Sequence, residues 1–207
     1  MGLNEPVPLA GIEELAVRIA ALRRSQARTV VAISGYGGAG KSTLTKTLAA
    51  EPGWTRLRGD DFLDPMRSHL RSTDWDGVER TRLRDEVLAP FRRGEQVRFR
   101  PFDWSTGRLG SVTELPDTEA LLVDAIGILH PELEGCFDLS VWVDVDLETA
   151  GERGRERDRR NGSQHDELWI DVWLPNDRDF AARFDPMSRA DVRYVPADVA
   201  QLGMPNA

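Results

Sequence analysis

The chain has 207 residues, 40% hydrophobic and 30% charged; this balance excludes a disordered chain, and the length can bury a core without disulfides or structural metal. Its 35 acidic residues against 27 basic ones give a net charge of -8, which argues against a nucleic-acid partner, because phosphate neutralisation needs a clustered basic face. The single cysteine, Cys136, excludes an internal disulfide and fits a cytoplasmic, reducing setting; no apolar signal region opens the chain, and no run approaches the roughly 20 apolar residues of a membrane span.

In chain order, Ile12, Leu15, Ala16, Ile19 and Leu22 recur at helical spacing and predict a helix over 11–25. The β-branched run 29–33 predicts a buried strand, followed by a glycine-rich segment at 34–40 and a helix over 41–50 that Pro52-Gly53 closes. A second strand is expected at 55–58, a helix at 78–93 stopped by Gly94, and an edge strand or hairpin arm at 97–104. Buried strands follow at 120–126 and 140–145, then a charged helix at 147–160, a helix at 167–184 interrupted near Pro175, and a short strand at 192–195. Apolar strands alternating with helices predict an α/β fold, a parallel sheet sandwiched by helices. The expected organisation is one domain over 1–207, an N-terminal helix within 1–27 and a core over 28–200 with inserted loops.

Only two of the basic residues are lysine, Lys41 and Lys46; every other one is arginine. A lysine kept in such a chain is a candidate for a task that needs a compact ammonium. Lys41 closes Gly35-Tyr36-Gly37-Gly38-Ala39-Gly40-Lys41-Ser42, which satisfies the Walker A pattern G-x-x-x-x-G-K-[ST] between a strand and a helix. Glycines let backbone N–H groups converge on phosphate oxygens, and the helix N-terminus adds partial positive charge. The expected nucleotide site is therefore Gly35, Gly37, Gly38, Ala39, Gly40, Lys41, Ser42 and Thr43, with Lys41 on the β- and γ-phosphates and Ser42 on Mg²⁺. Lys46, five residues on, is expected to turn away to the surface.

Such a loop needs a carboxylate for the metal at the end of an apolar strand. Asp124 and Asp144 both qualify; Asp124 is preferred because it follows the cleaner buried run and precedes Ala125 and Gly127. Asp60, beyond the second strand, is placed to accept a hydroxyl proton or to serve the metal, and an Asx-turn is the plainer alternative. Arg153, Arg157 and Arg160 share a helical face that could close over a moving phosphoryl group, or simply be a solvated, ion-paired face. Phe102 and Trp104, two apart on a strand, could stack on a planar acceptor or be core aromatics. His69, His130 and His165 have no metal spacing and read as surface or capping residues.

Over about 30–194 the sequence resembles the uridine kinase and phosphoribulokinase group of P-loop kinases. Asp60-Asp61-Phe62 resembles its Asp-x-Phe-Tyr segment, which implies Asp60 as catalytic base. Trp75-Asp76 resembles an aromatic-Asp pair whose carboxylate, here Asp76, binds sugar hydroxyls. Pro101-Phe102-Asp103-Trp104 resembles the segment packed against the nucleobase, and Leu122-Val123-Asp124 the strand that ends in the metal-serving acid. Arg153 to Arg160 resembles the arginine-rich lid, with Arg153 on the nucleotide and Arg157 at the transferred group. The chain departs from the pattern at Leu63 (for Tyr), Asp124-Ala125 (for Glu-Gly), Phe102 (for Tyr) and Gly107, near an expected histidine. The resemblance implies a P-loop NTPase fold with ATP and Mg²⁺ as cofactors and phosphoryl transfer to a small-molecule acceptor. A nucleoside comes first as that acceptor, and pantothenate, a sugar or an antibiotic second. It implies no membrane or nucleic-acid partner and is compatible with a homo-oligomer; a P-loop protein that binds nucleotide without transferring phosphate is the rival.

Overall fold

The structure, a computed structural model, describes residues 6–9, 11–64, 66–103 and 105–197. Six strands form one sheet: β1 (Val7–Leu9), β2 (Thr29–Ser34), β3 (Trp54–Arg58), β4 (Ala120–Asp124), β5 (Leu139–Val143) and β6 (Val192–Tyr194). All neighbours run parallel, in the order β1-β6-β5-β2-β4-β3. Every residue of β2 and β4 is buried, as both faces of a central parallel strand must be. Because β2 lies between β4 and β5, with Ile33 in register with Asp124, the carboxyl ends of β2 and β4 open side by side.

Two apolar layers cover the sheet. Helices α1 (Ile12–Ser25) and α2 (Lys41–Leu48) set Leu15, Ile19, Leu44 and Leu48 against Val31, Ile33, Leu122 and Val141. On the other face α3, residues 80–93, sets Leu83, Val87, Leu88 and Phe91 against Val30, Ala32, Leu121 and Val123. Helix α4 (Leu147–Arg160) starts where the Asp146 carboxylate accepts the Thr149 N–H at 2.8 Å. Helix α5 covers 166–184 and returns toward the sheet's carboxyl edge. No helix among the described residues is long and apolar enough to cross a membrane.

Three expectations change. The N-terminal region adds β1, an edge strand that pairs only with β6. Residues 97–104 do not make one arm: Arg98–Phe99 pairs with Thr113–Glu114, and Phe102–Asp103 with Arg108–Leu109. Pro101, which carries no N–H for a ladder, lies between the two pieces. Helix α5 is not interrupted at Pro175; a π-helical turn, Trp169–Trp173, precedes it. A matching turn, Arg84–Leu88, precedes Pro90 in α3. Widening one turn takes up the hydrogen bond and the space that a proline denies to an α-helix.

Candidate functional site

The segment between β2 and α2 folds as a loop around the N-terminus of α2, with Gly38 at φ +84° and Gly40 at φ +97°, where a side chain would be strained. A Cβ at Gly40 would meet nothing within 4 Å, so the loop's mouth is open. Gly37, Gly38, Gly40, Lys41, Ser42 and Thr43 line a cavity of about 620 Å³ at the carboxyl edge of the sheet. Gly35 and Ala39 lie behind it, both buried. Lys41 is 8% exposed, and its Nζ donates to the loop's own carbonyls, Gly35 O at 2.9 Å and Tyr36 O at 2.7 Å. Burial pushes the Lys41 ammonium below its ordinary value, while Asp177, Asp60 and Asp124 pull it back up. Lys46 is at the surface, as expected, but does not turn away: one helical turn beyond Ser42, it reaches the rim of the same cavity.

Asp124 ends β4 inside this cavity and accepts the Ser42 hydroxyl on Oδ2 at 2.7 Å. A hydroxyl and a carboxylate converging in this way fit a divalent cation that arrives with phosphates. Among the described residues, no group of three or more His, Cys, Asp or Glu could hold a metal by itself. Arg56 also holds Asp124, through Nε at 2.6 Å and Nη2 at 2.8 Å, so the carboxylate would reach a cation most readily through water. Sequence reasoning passed over Arg56; its signal was Arg56 and Arg58 two apart on one short strand, hence on one face. Both line the cavity.

Asp60 follows β3 in a 3₁₀ turn, Gly59–Phe62, and opens into the same cavity. It is exposed to cavity solvent yet ringed by protein; that surround pushes its carboxyl up, the Lys41 charge opposes the shift, and the Asp124 charge adds to it. Arg153 and Arg157, from α4, also line the cavity, whereas the third residue of the expected face, Arg160, is exposed and pairs with Glu156 at 2.9 Å. Arg157 lies on Asp158 at 2.8 Å. Asp158 also accepts the Trp169 indole N–H at 2.9 Å, and these bonds outweigh burial and hold its carboxyl below the ordinary range. Helix α4 approaches the phosphate loop so closely that a Cβ at Gly38 would strike the Ala150 carbonyl, and one at Gly154 the Trp169 ring.

The acceptor side differs from the expectation. Phe102 is 6% exposed and packs in a cluster with Leu63, Trp75, Val78 and Phe180, outside the cavity lining. It is a core aromatic, the second of the two readings that the sequence allowed, because its ring packs with Trp75 and Phe180. Trp104 lies outside the described residues. Asp76 is exposed and does not line the cavity; its neighbour Trp75 does. The aromatic wall comes instead from Trp75, Trp169 and Trp173, with Leu63 and Ile126 beside them. All three indole N–H groups are taken by the protein, by Asp177, Asp158 and the Ser68 carbonyl, so the wall presents π-surface rather than donors. His165 lines the cavity 3.4 Å from Asp158, while His130 accepts the Glu132 N–H and caps a turn.

Asp177, on α5, is the functional candidate that the sequence did not reveal. It is 4% exposed, and its Oδ2 accepts the Gly37 N–H at 2.7 Å and its Oδ1 the Trp75 Nε1–H at 2.9 Å. Burial raises its pKa to about 6 against the pull of Lys41 and of both hydrogen bonds.

This sheet order, with a glycine loop and α2 on its central strand, is the fold of the P-loop kinases. No family model and no curated protein sequence matches the chain, but solved structures do. A candidate fructose transport system kinase from Silicibacter sp. TM1040 superposes with a TM-score of 0.72 at 21% identity, over 89% of this chain and 99% of that one. A candidate uridine kinase from Bacillus stearothermophilus gives 0.63 at 16% identity, over 87% and 99%. A candidate P-loop kinase from Saccharomyces cerevisiae gives 0.66 at 12% identity, over 91% and 100%.

Proposed function

We propose that this protein is an ATP-dependent phosphotransferase that moves a γ-phosphate to a hydroxyl of a small molecule, a nucleoside of the uridine or cytidine kind. The observation that carries the proposal is that Asp60 and the phosphate loop line one cavity, with the loop's Lys41 close enough for its charge to act on Asp60. The loop amides and Lys41 hold the phosphates; Lys41 has only to exchange the Gly35 and Tyr36 carbonyls for phosphate oxygens. Mg²⁺, held by Ser42 and through water by Asp124, would neutralise charge on the phosphates when bound. Asp60 orients the acceptor hydroxyl and takes its proton, and Arg153 and Arg157 face the moving group from the α4 wall. The tryptophan wall offers a flat surface for a base.

A second reading has its own support. Asp76 and Phe102, the residues that the resemblance assigns to sugar and base, stand outside the cavity, which favours a non-nucleoside hydroxyl acceptor such as a sugar, pantothenate or an antibiotic. ATP consumption with product mass, measured over nucleosides, sugars and pantothenate, separates the two. Asp60→Asn tests the class: transfer should fall about 10²- to 10⁴-fold while ATP still binds. A protein that only senses nucleotide would be indifferent to that change.

A further inference from the structure

Asp177 has no task in the reaction as described, yet it ties together the two sides of the cavity. It comes from α5, 140 residues beyond Gly37 and 102 beyond Trp75. Its neighbour Asn176 fixes its position: the Asn176 Oδ1 accepts the Ser72 N–H at 2.9 Å, and its Nδ2 donates to the Leu70 carbonyl at 3.0 Å. Both residues are buried, so the carboxylate is held rather than draped. Trp75, its other partner, stands at φ +53° with Gly127 packed beneath its Cβ, a strained position that the surrounding packing enforces.

A phosphate loop works by aiming backbone N–H groups at an external anion. Here one of those N–H groups is already given to an anion that the chain carries itself. Gly37 is at the end of the loop that faces the acceptor wall, since the side chain that takes its N–H also holds Trp75. A triphosphate that ran outward from the N-terminus of α2 would bring its terminal phosphoryl group toward that end of the loop. A diphosphate in the same orientation would be one phosphoryl group shorter and would stop before it.

We propose that Asp177 competes with the terminal phosphoryl group of a bound nucleotide for the Gly37 N–H, and thereby sets how tightly a triphosphate is held relative to a diphosphate. The proposal rests on the nucleotide-binding reading above. Lys41 lies close enough to act on the Asp177 charge, and it also lines the cavity where a phosphate would enter, so the site stays usable while the carboxylate limits it. The consequence is a preference against retaining triphosphate in the absence of an acceptor, whose hydroxyl can donate to Asp177 and weaken its hold on the loop.

Calorimetric titration of the full chain with Mg·ADP and with a Mg-bound β,γ-imido triphosphate tests this in the wild type, Asp177→Asn and Asp177→Ala. Triphosphate should bind about tenfold more tightly or better in Asp177→Ala, and more tightly, by a smaller factor, in Asp177→Asn, which loses the charge but keeps one oxygen able to accept the Gly37 N–H; ADP should change less than about threefold in both. Equal shifts for the two nucleotides, or weaker triphosphate binding in the variants, would overturn the proposal. Asparagine keeps the carboxylate's shape, so the comparison stands even if the alanine variant does not fold. A wild-type chain that binds neither nucleotide removes the nucleotide reading itself, an outcome distinct from equal shifts.

Discussion

Arg56 and Asp124 form a bidentate pair at 2.6 and 2.8 Å, with the Asp124 side chain 3% exposed and that of Arg56 17%. The pair neutralises the strand-end carboxylate at the very place where a phosphate loop wants a metal-serving acid. Removing the guanidinium should leave a buried carboxylate with the Ser42 hydroxyl as its side-chain hydrogen-bond partner and Lys41 as the nearby cation. Arg56→Met is therefore expected to cost about 3 kcal/mol, a fall in Tm of about 6–12 °C for a chain of this size, measured by thermal unfolding in EDTA. Magnesium chloride should then raise the Tm of the variant more than that of the wild type, because a cation can stand in for the lost charge. Equal shifts would count against Asp124 as the metal's carboxylate.

Lys41 is one of two lysines in an arginine-rich chain, and its burial explains why arginine does not stand there. Its Nζ fits between the Gly35 and Tyr36 carbonyls, a seat too small for a planar guanidinium with five donors. Lys41→Arg should lose about as much turnover as Lys41→Ala, on the order of 10²-fold or more. Turnover of the arginine variant within tenfold of the wild type would show that charge alone suffices.

The parts of this site that could be read from the sequence are those whose signal is local. The 29–33 run, the glycines after it and the helix from Lys41 are contiguous, so their geometry follows from φ, ψ and periodicity. Asp124 stood out because an apolar run ends on it. Asp177 gave no such sign: both of its partners lie more than 100 residues away, and within α5 it looks like any helical acid. The aromatic wall was misplaced for the same reason. Phe102 and Trp169 are both bulky aromatics near charged residues, and only tertiary packing decides which faces the core and which the cavity.

Gly154 lets α4 meet the Trp169 ring, which in turn lies over Gly37. Gly154→Ala would add one methyl where none fits, at a helical position that alanine itself favours. Overpacking should outweigh the helix gain and cost about 1–3 kcal/mol. The displaced indole would also lose its bond to Asp158, so the tryptophan emission should shift in the folded variant. A variant as stable as the wild type, with unchanged emission, would mean that α4 moves freely away from the loop.

Asp177 gives a pH dependence opposite to that of most carboxylates. Its pKa stands at about 6, raised from 3.8, so between those values the folded chain holds a proton that the unfolded chain has released. Folding stability must then fall as pH rises through this window. The contribution is fully present below about pH 4 and lost above about pH 6, and a shift of this size is worth about 3 kcal/mol. Asp177→Asn cannot ionise and lacks this term. Its stability relative to the wild type should therefore improve by about 2–3 kcal/mol between pH 4 and pH 7.5, whatever its absolute value at either pH. Urea unfolding of both proteins at the two pH values measures that difference directly. A difference that stays constant would mean that the Gly37 and Trp75 hydrogen bonds fully offset the burial of the charge, and that Asp177 is ionised throughout.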